Sequence, residues 1–401
     1  MKLFCRGVLF IILISFLFIN PKQTQAQSGI DLDLSAESEF GEQITFTTQT
    51  RSPLQIQSAF IVLQDVIQGT IYREPITFNP NGASVFIFDT KQNSLRPFTT
   101  IQWMIEMTLA DGSQARSQTA LIRYDDDRFD WKQQELNGLR VHWYDGDEDF
   151  GLAALNAGQA GLQKIAEFFP PDLSSPVDIF IYANESDLRG TLYGGGEVWV
   201  AGHADSAAGI LMVTIEAGVE QNIQMERRIP HELMHVILYR QVGEGYKNIP
   251  AWLREGMAAL AEVYPDPEYD RFLQDAAARD ALIPMLDLCA SFSPNSDSAF
   301  LAYAQSRSFT NYLRGGFGTD GLLRLANAYA NGMDCERGPQ QAFGVSFGKL
   351  ERDWRVNVLG ENSFMSAFGD IAPYLALLCL VMFFPLFGMF NAMRKGSEQK
   401  R

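Results

Sequence analysis

The 401 residues are enough for two domains of roughly 150 residues each once both ends are set aside. The chain has 32 basic and 48 acidic residues, a formal net charge of −16. Nucleic acid and anionic lipid headgroups both require a positive protein surface, so this balance argues against them as partners. The acidity is consistent with solubility and names no substrate.

The N-terminus has the pattern of a secretory signal peptide. Lys2 and Arg6 precede an uncharged run over residues 7–20, and small residues ending at Ala26 offer a cleavage site. We therefore expect residues 1–26 to be removed from the mature protein. The alternative is an uncleaved anchor, although the apolar run is short for a span of about 20 residues.

Residues 27–125 have the pattern of short strands, with apolar and polar side chains alternating, separated by turns. From Ile101 to Leu109, apolar side chains recur at every second position, and Asp111-Gly112 is typical of a hairpin turn. Residues 115–124 would form the returning strand. The pattern predicts a β-sandwich of immunoglobulin-like type, in architecture only, since the Cys–Trp–Cys pattern of true immunoglobulin domains is missing.

Clustered carboxylates at residues 125–130 follow the predicted sandwich. They could bind calcium, but no glycine occupies the position that an EF-hand loop requires. We therefore expect a solvated linker.

Helix and strand alternate over residues 126–362, which we interpret as a second domain that is mostly helical from Glu226 onward. The apolar patterns predict a helix at 153–168 and four strands, at 139–144, 177–182, 198–201 and 210–213, of which the last two form a pair. The predicted fold class is therefore α+β.

A metal-binding pattern stands in the middle of an apolar helical run. His231-Glu232-Leu233-Met234-His235 is an H-E-x-x-H motif, and residues four apart share one helical face, so both imidazoles can reach a single Zn²⁺. Glu232 is placed to take a proton from the attacking water.

The third ligand is predicted downstream. Glu255 follows His235 with nineteen residues between them, on a second helix that starts after Pro250. Two histidines and one glutamate with an open fourth position form a catalytic zinc site. Glu262 is the competing candidate, because it lies seven residues on and would share the same helical face. A solvated, non-ligating Glu255 is the remaining alternative.

Together, residues 231–235 and 252–258 resemble the peptidase MA-like domains of the gluzincin clan, which are related to thermolysin at the zinc site. The resemblance covers roughly residues 130–360, with supporting segments at 302–313 and 350–355. It implies zinc at His231, His235 and Glu255 with Glu232 as the general base. The G-x-M-E-N segment of the aminopeptidase branch is missing, so both endopeptidase and exopeptidase action remain open.

The resemblance also implies a second group that stabilises the oxyanion, for which a tyrosine or histidine often serves in this clan. Tyr303 is our candidate, with a helix-core aromatic as the alternative. Glycines at 194–196 precede the zinc helix where such folds place an edge strand for extended substrate; a flexible loop is equally consistent. His203 and His142 are weaker candidates for further site residues.

Two cysteines, Cys289 and Cys335, lie in the predicted ectodomain, and an oxidising compartment favours one disulfide between them. Two free thiols are the alternative. Neither cysteine has the C-x-x-C spacing of a zinc or redox site.

The C-terminal part contains 23 uncharged residues at 371–393, a helix of about 34 Å and enough for a hydrocarbon core of about 30 Å. Asp370 precedes this stretch, and a basic tail at 394–401 follows it. The positive-inside rule then predicts a single-pass membrane protein with its N-terminal ectodomain outside and its C-terminus in the cytoplasm. A buried core helix is the alternative.

These features predict a membrane-anchored extracytoplasmic zinc metallopeptidase acting on peptide or protein substrates. Two other functions remain open: a binding or adhesion protein with an inactive peptidase fold, and a zinc hydrolase of a non-peptide bond. Intact H-E-x-x-H and Glu255 residues argue against the first. The natural substrate and the oligomeric state are not readable from the sequence.

Overall fold

The structure, a computed structural model, describes residues 28–51, 55–192, 202–292 and 296–361, with five further positions between 374 and 381. The chain divides into two units. The first contains the described residues up to Ser38, with Gln43–Asp89 and Thr100–Arg123. The second contains Glu39–Glu42, Thr90–Thr99 and the residues from Tyr124 onward.

The N-terminal region is β-rich. Its strands are β1 (Ser28–Ile30), β2 (Leu32–Glu39), β3 (Gln43–Thr50), β4 (Ile56–Asp65), β5 (Ile71–Ile76), β6 (Ala83–Asp89), β7 (Thr99–Leu109), β8 (Gln114–Ser117) and β9 (Ala120–Tyr124). One sheet has the order β1-β8-β7-β4-β5, with β9 also paired to β7, and the other has the order β2-β3-β6.

The alternation along β7 builds the core of this region. Ile101, Trp103, Ile105 and Met107 are buried, whereas the residues between them are half-buried. The ring of Phe46, from the other sheet, packs edge-on against Trp103 with the centroids 4.9 Å apart. Two facing sheets are thus present, and the immunoglobulin-like class stays a prediction.

The predicted hairpin turn after β7 is confirmed. Gly112 has φ 81°, which side-chain-bearing residues rarely adopt, and its N–H donates to the carbonyl of Leu109 at 2.9 Å. The single returning strand predicted over 115–124 is wrong, because the ladder is interrupted between β8 and β9.

The carboxylate cluster that follows is not a solvated linker throughout. Asp126 is fully buried and accepts hydrogen bonds from the Arg128 guanidinium at 2.6 and 2.7 Å. The hydroxyls of Tyr182 and Thr191 also donate to it, each at 3.0 Å. The prediction was wrong here because a buried carboxylate is stable when a cation and neutral donors fill its acceptor positions.

The second unit begins with a mixed α/β segment. Its elements are β10 (Lys132–Leu136), β11 (Leu139–Trp143), α1 (Glu148–Ala166), β12 (Val177–Tyr182), α2 (Glu185–Thr191), β13 (Gly202–Asp205) and β14 (Ile210–Thr214). The sheet order is β10-β11-β12-β14-β13, with β11, β12 and β14 parallel and the outer strands antiparallel to their neighbours. This order places β13 at an edge.

Helix α1 begins five residues before the predicted start at Ala153. Asp147 is the cause, because its carboxylate accepts the N–H of Phe150 at 3.0 Å and caps the helix. The strands predicted at 139–144, 177–182 and 210–213 are confirmed within a residue at their ends. The predicted strand at 198–201 and the glycines at 194–196 lie outside the described residues.

Helices complete the second unit. They are α3 (Gln221–Val242), α4 (Ala251–Ala261), α5 (Glu268–Ala278), α6 (Ser296–Ala330, broken at Gly318), α7 (Gly338–Phe343) and α8 (Phe347–Leu359). Trp252, Phe309 and Trp354 join α4, α6 and α8 in one aromatic core, with ring centroids 5.1 and 5.5 Å apart. A disulfide joins Cys289 to Cys335, with the Cα atoms 6.1 Å apart, so the predicted bond is present.

The described part of the chain contains no helix that is both long and apolar enough to cross a bilayer. The predicted signal peptide at 1–26 lies outside the described residues. So does the predicted membrane segment at 371–393, apart from the five positions between 374 and 381.

Candidate metal centre

The H-E-x-x-H motif lies in the middle of α3, next to an internal proline. Pro230 has no N–H to give to the carbonyl of Glu226, four residues earlier. The backbone N–H of Val263 donates to that carbonyl instead, at 2.9 Å. Close packing on α1 accommodates the proline ring, since a β-carbon at Gly161 would lie 2.8 Å from it. The carbonyl that Pro230 leaves free therefore fixes the end of α4 beside the motif.

The chain reverses between α3 and α4 so that the third candidate ligand faces the two histidines. Gly243 ends α3 at φ 66°, and a 3₁₀ turn over Gly243–Asn248 leads into α4. The Oε2 atom of Glu255 then lies 3.4 Å from Nε2 of His231 and 3.5 Å from Nε2 of His235. One ligand atom from each of the three residues lies within 4.8 Å of the others.

The two separations measured from Glu255 suit a zinc ion. Ligands bound tetrahedrally at about 2.0–2.1 Å are about 3.3–3.4 Å apart, close to the two measured separations. Two neutral imidazoles and one carboxylate are also the donor set of catalytic zinc sites with an open position. His231, His235 and Glu255 would therefore hold the ion.

Glu262 does not join the ligands but supports one of them. Helix α4 ends at Ala261, so Glu262 leaves the face predicted for it and turns toward α3. Its Oε1 lies 2.9 Å from Nδ1 of His231 and accepts the proton of that nitrogen when Nε2 is the ligand. Glu262 is not among the three residues whose ligand atoms converge, and the helical face predicted for it would require α4 to continue past Ala261.

Tyr246, in the 3₁₀ turn, performs the same role for the other histidine. Its hydroxyl lies 2.9 Å from Nδ1 of His235. Burial, first of all, raises the pKa of this hydroxyl above its usual range, so it stays a neutral phenol. Both imidazoles thus have Nδ1 occupied and Nε2 directed at Glu255. No sequence pattern pointed to Tyr246.

The electrostatics of the metal-free cluster reflect its burial and its charge pairing. Burial disfavours the cationic form of His231, but hydrogen bonds to Glu255 and Glu262 outweigh it and raise the His231 pKa well above its usual value. Burial likewise opposes ionisation of Glu255, yet His235 and His231 hold the Glu255 pKa far below its ordinary range. The carboxylate is therefore ionised and ready to bind a cation.

Glu232 lies beside the ligands and under the edge strand. It is 9% exposed, and no residue in the described ranges hydrogen-bonds its carboxylate. A β-carbon at Gly202, the first residue of β13, would lie 2.4 Å from Oε1 and 2.9 Å from Cγ of Glu232. The backbone of β13 can pack on this carboxylate only because residue 202 is glycine, which the sequence alone did not show.

Tyr303 on α6 also faces the cluster. Its ring centroid is 6.0 Å from that of His231. Burial, and next the negative charges of Glu255 and Glu232, raise the Tyr303 pKa well above the usual value, so its hydroxyl is a neutral donor. This placement is compatible with the oxyanion role that the sequence suggested.

The other two histidines stay apart from the ligand group. His203 is exposed on β13. His142 is buried on β11, where its Nε2 lies 2.7 Å from the Asp178 carboxylate and its ring stacks on Phe180. Neither is among the residues whose ligand atoms converge.

A family model described as the Peptidase MA superfamily matches residues 157–360, about half of the chain and the whole metal centre. No curated protein matches the chain.

Solved structures match only weakly. OgpA from Akkermansia muciniphila is 16% identical over 26% of this chain and 31% of its own, with a TM-score of 0.20. A polysaccharide deacetylase from Bacillus cereus is 10% identical over 42% of this chain and 58% of its own, with a TM-score of 0.21. A myokine structure is 10% identical over 25% of this chain and 99% of its own, with a TM-score of 0.20. Scores this low support no further comparison.

Proposed function

The chain belongs to the peptidase MA superfamily, and from this membership we propose that it is a zinc metallopeptidase of the gluzincin type. The observation that carries the proposal is that Oε2 of Glu255 lies 3.4 Å from Nε2 of His231 and 3.5 Å from Nε2 of His235. Glu232 stands next to them with no competing hydrogen bond from the described residues. Peptides and proteins are the substrate class that this family membership favours.

Each residue of the site has a separate role in the proposed peptide hydrolysis. Bound zinc would polarise the peptide carbonyl and make water a nucleophile at neutral pH. Glu232 takes the proton from the attacking water and delivers it to the leaving amine. Tyr303, a neutral phenol, donates a hydrogen bond to the oxygen on which negative charge develops. Glu262 and Tyr246 hold the two imidazoles in the tautomer that leaves Nε2 free.

The test separates metal binding from turnover. Zinc content and cleavage of a broad peptide library, with and without chelator, are measured for the wild type and two variants. Glu232→Gln should retain zinc and lose chelator-sensitive cleavage, because it removes the base and spares the ligands. Glu255→Gln should lose zinc. Wild-type cleavage rates in Glu232→Gln would refute the mechanism.

Two other outcomes identify the alternative functions. Zinc without chelator-sensitive cleavage of any peptide would favour a binding protein. Chelator-sensitive hydrolysis of an ester or amide library, with no peptide cleaved, would favour a hydrolase of a non-peptide bond.

We further propose that residues 371–393 anchor the protein with the metal centre outside the cell. The support is in the sequence: 23 uncharged residues followed by a basic tail. Protease added to cells, with any outer membrane permeabilised, should remove an epitope within residues 130–360 and leave one at 394–401 protected. The opposite pattern would invert the topology, and release of the whole chain would exclude the anchor.

A further inference from the structure

Arg254 is a cation beside the metal centre, directly before the ligand Glu255 in α4. All residues of α4 are buried except Arg254, Glu255 and Leu260, so these two polar side chains share the accessible side of the helix. The Arg254 guanidinium lies over the ring of Tyr246, with Cζ 5.4 Å from its centroid. The centroid of that ring is 6.5 Å from the imidazole centroid of His235. The distance from the guanidinium to this ligand ring is therefore at most the sum of these two distances.

Within the described ranges, Arg254 has no anionic partner, unlike other half-buried arginines of the same unit. Arg96, Arg128 and Arg227 each pair with an aspartate, and Arg240 donates to three backbone carbonyls. Among the described residues, Arg254 forms neither an ion pair nor a hydrogen bond, and its Nε is buried without an acceptor. A partly desolvated guanidinium without acceptors is costly unless an anion arrives with a ligand.

We propose that Arg254 binds a carboxylate of the peptide substrate and so determines specificity. The inference rests on the proposed peptidase function. An extended peptide advances about 3.3–3.6 Å per residue, so this carboxylate would lie within about three residues of the bond held at the metal. The planar fork of the guanidinium matches a carboxylate with two parallel hydrogen bonds.

The charges around the metal centre restrict where an anionic group of the substrate can bind. The nearby carboxylates of Glu232, Glu255 and Glu262 would repel a second anion placed near them. Arg254 is the one cation of the ligand-bearing helix α4, and no described residue pairs with it. An acidic side chain or the C-terminal carboxylate of the substrate could supply the anion, and the two are distinguished by experiment.

The experiment uses matched peptides around a cleavage site found in the library digest. One set exchanges Glu for Gln at each position within three residues of the scissile bond, and another exchanges a free C-terminus for an amide. The wild type should cleave the carboxylate-bearing member of one pair with a kcat/KM about 10- to 100-fold higher. The pair that responds identifies the source of the anion.

The variants assign that preference to Arg254. Arg254→Met should reduce the kcat/KM ratio between the two peptides of the responding pair to near one. Arg254→Lys should retain part of this preference, because lysine keeps the positive charge but lacks the planar fork of the guanidinium. Arg324→Met, at an exposed position of α6, is the matched control and should keep the wild-type ratio. Zinc content and thermal unfolding of each variant show that the centre is intact.

Peptide binding to zinc-loaded Glu232→Gln separates this proposal from the proposed function. Failure of wild-type cleavage would refute the peptidase function, yet carboxylate-dependent binding that disappears with Arg254→Met would still support the role of Arg254. The role of Arg254 is refuted if no peptide pair shows a preference for the carboxylate in either the cleavage or the binding assay. It is also refuted if Arg254→Met keeps the wild-type ratio between the two peptides of the responding pair.

Discussion

Oε1 of Glu262 lies 2.9 Å from Nδ1 of His231, although 31 residues separate them in the chain. Two features create this pair. Helix α4 stops at Ala261. Two residues on, the N–H of Val263 donates to the carbonyl that Pro230 leaves free at Glu226. The carboxylate is 5% exposed, so its interaction with the imidazole is little screened by water.

We expect Glu262→Gln to weaken zinc binding by about 10-fold and Glu262→Ala by up to about 100-fold. The amide keeps an acceptor for the Nδ1 proton but loses the charge, whereas alanine loses both. Competition with a chelator of known affinity measures the change. Asp320→Asn, at an exposed position of α6, is the control. Unchanged zinc affinity in Glu262→Ala would mean that this contact does not support the ligand.

Gly202→Ala should lower kcat by about 100-fold while zinc stays bound. The new β-carbon would lie 2.4 Å from Oε1 of Glu232, so the carboxylate must move, and displacements near 1 Å cost about that factor. The control is Gly218→Ala, where no described atom outside the two neighbouring residues lies within 4 Å of the added carbon.

The coupling between Gly202 and Glu232 is tested by a double-mutant cycle. In a Glu232→Gln background, Gly202→Ala should cause little further loss of residual activity, because its target is already disabled. Equal losses in both backgrounds would point to a general structural effect of the alanine.

Tyr303→Phe should reduce kcat by about 100- to 1,000-fold, the usual effect of removing one oxyanion donor. The aromatic ring against His231 remains, so zinc content and thermal stability should change little. Tyr312→Phe, on the same helix, is the matched control. A kcat within a factor of two of the wild type would reduce Tyr303 to a packing residue.

Cys289→Ser should lower the free energy of unfolding more than it lowers zinc affinity. The bond to Cys335 spans 46 residues, and closing a loop of that size corresponds to about 4 kcal/mol in the chain-entropy model, often less in practice. The spanned segment includes the whole of α6 with Tyr303. Thermal unfolding is compared with Cys379→Ser, a change at a free cysteine. Equal unfolding temperatures would leave the bond without a stabilising role.

The sequence by itself was sufficient for the parts of the protein that depend on local geometry. His231 and His235 share a face because the α-helix repeats every 3.6 residues, and Trp103 is buried because side chains alternate along a strand. Glu255 followed from the same reasoning, since a helix starting after Pro250 directs it toward the motif.

The contacts that orient the ligands and the general base depend on the tertiary structure alone. Sequence periodicity placed Glu262 on the face of Glu255 because it assumed a longer helix, and the backbone contact between Glu226 and Val263 ends that helix. Tyr246 reaches His235 through a turn, and Gly202 meets Glu232 across an edge strand. Such contacts depend on how distant elements pack, and spacing along the chain does not encode the packing of distant elements.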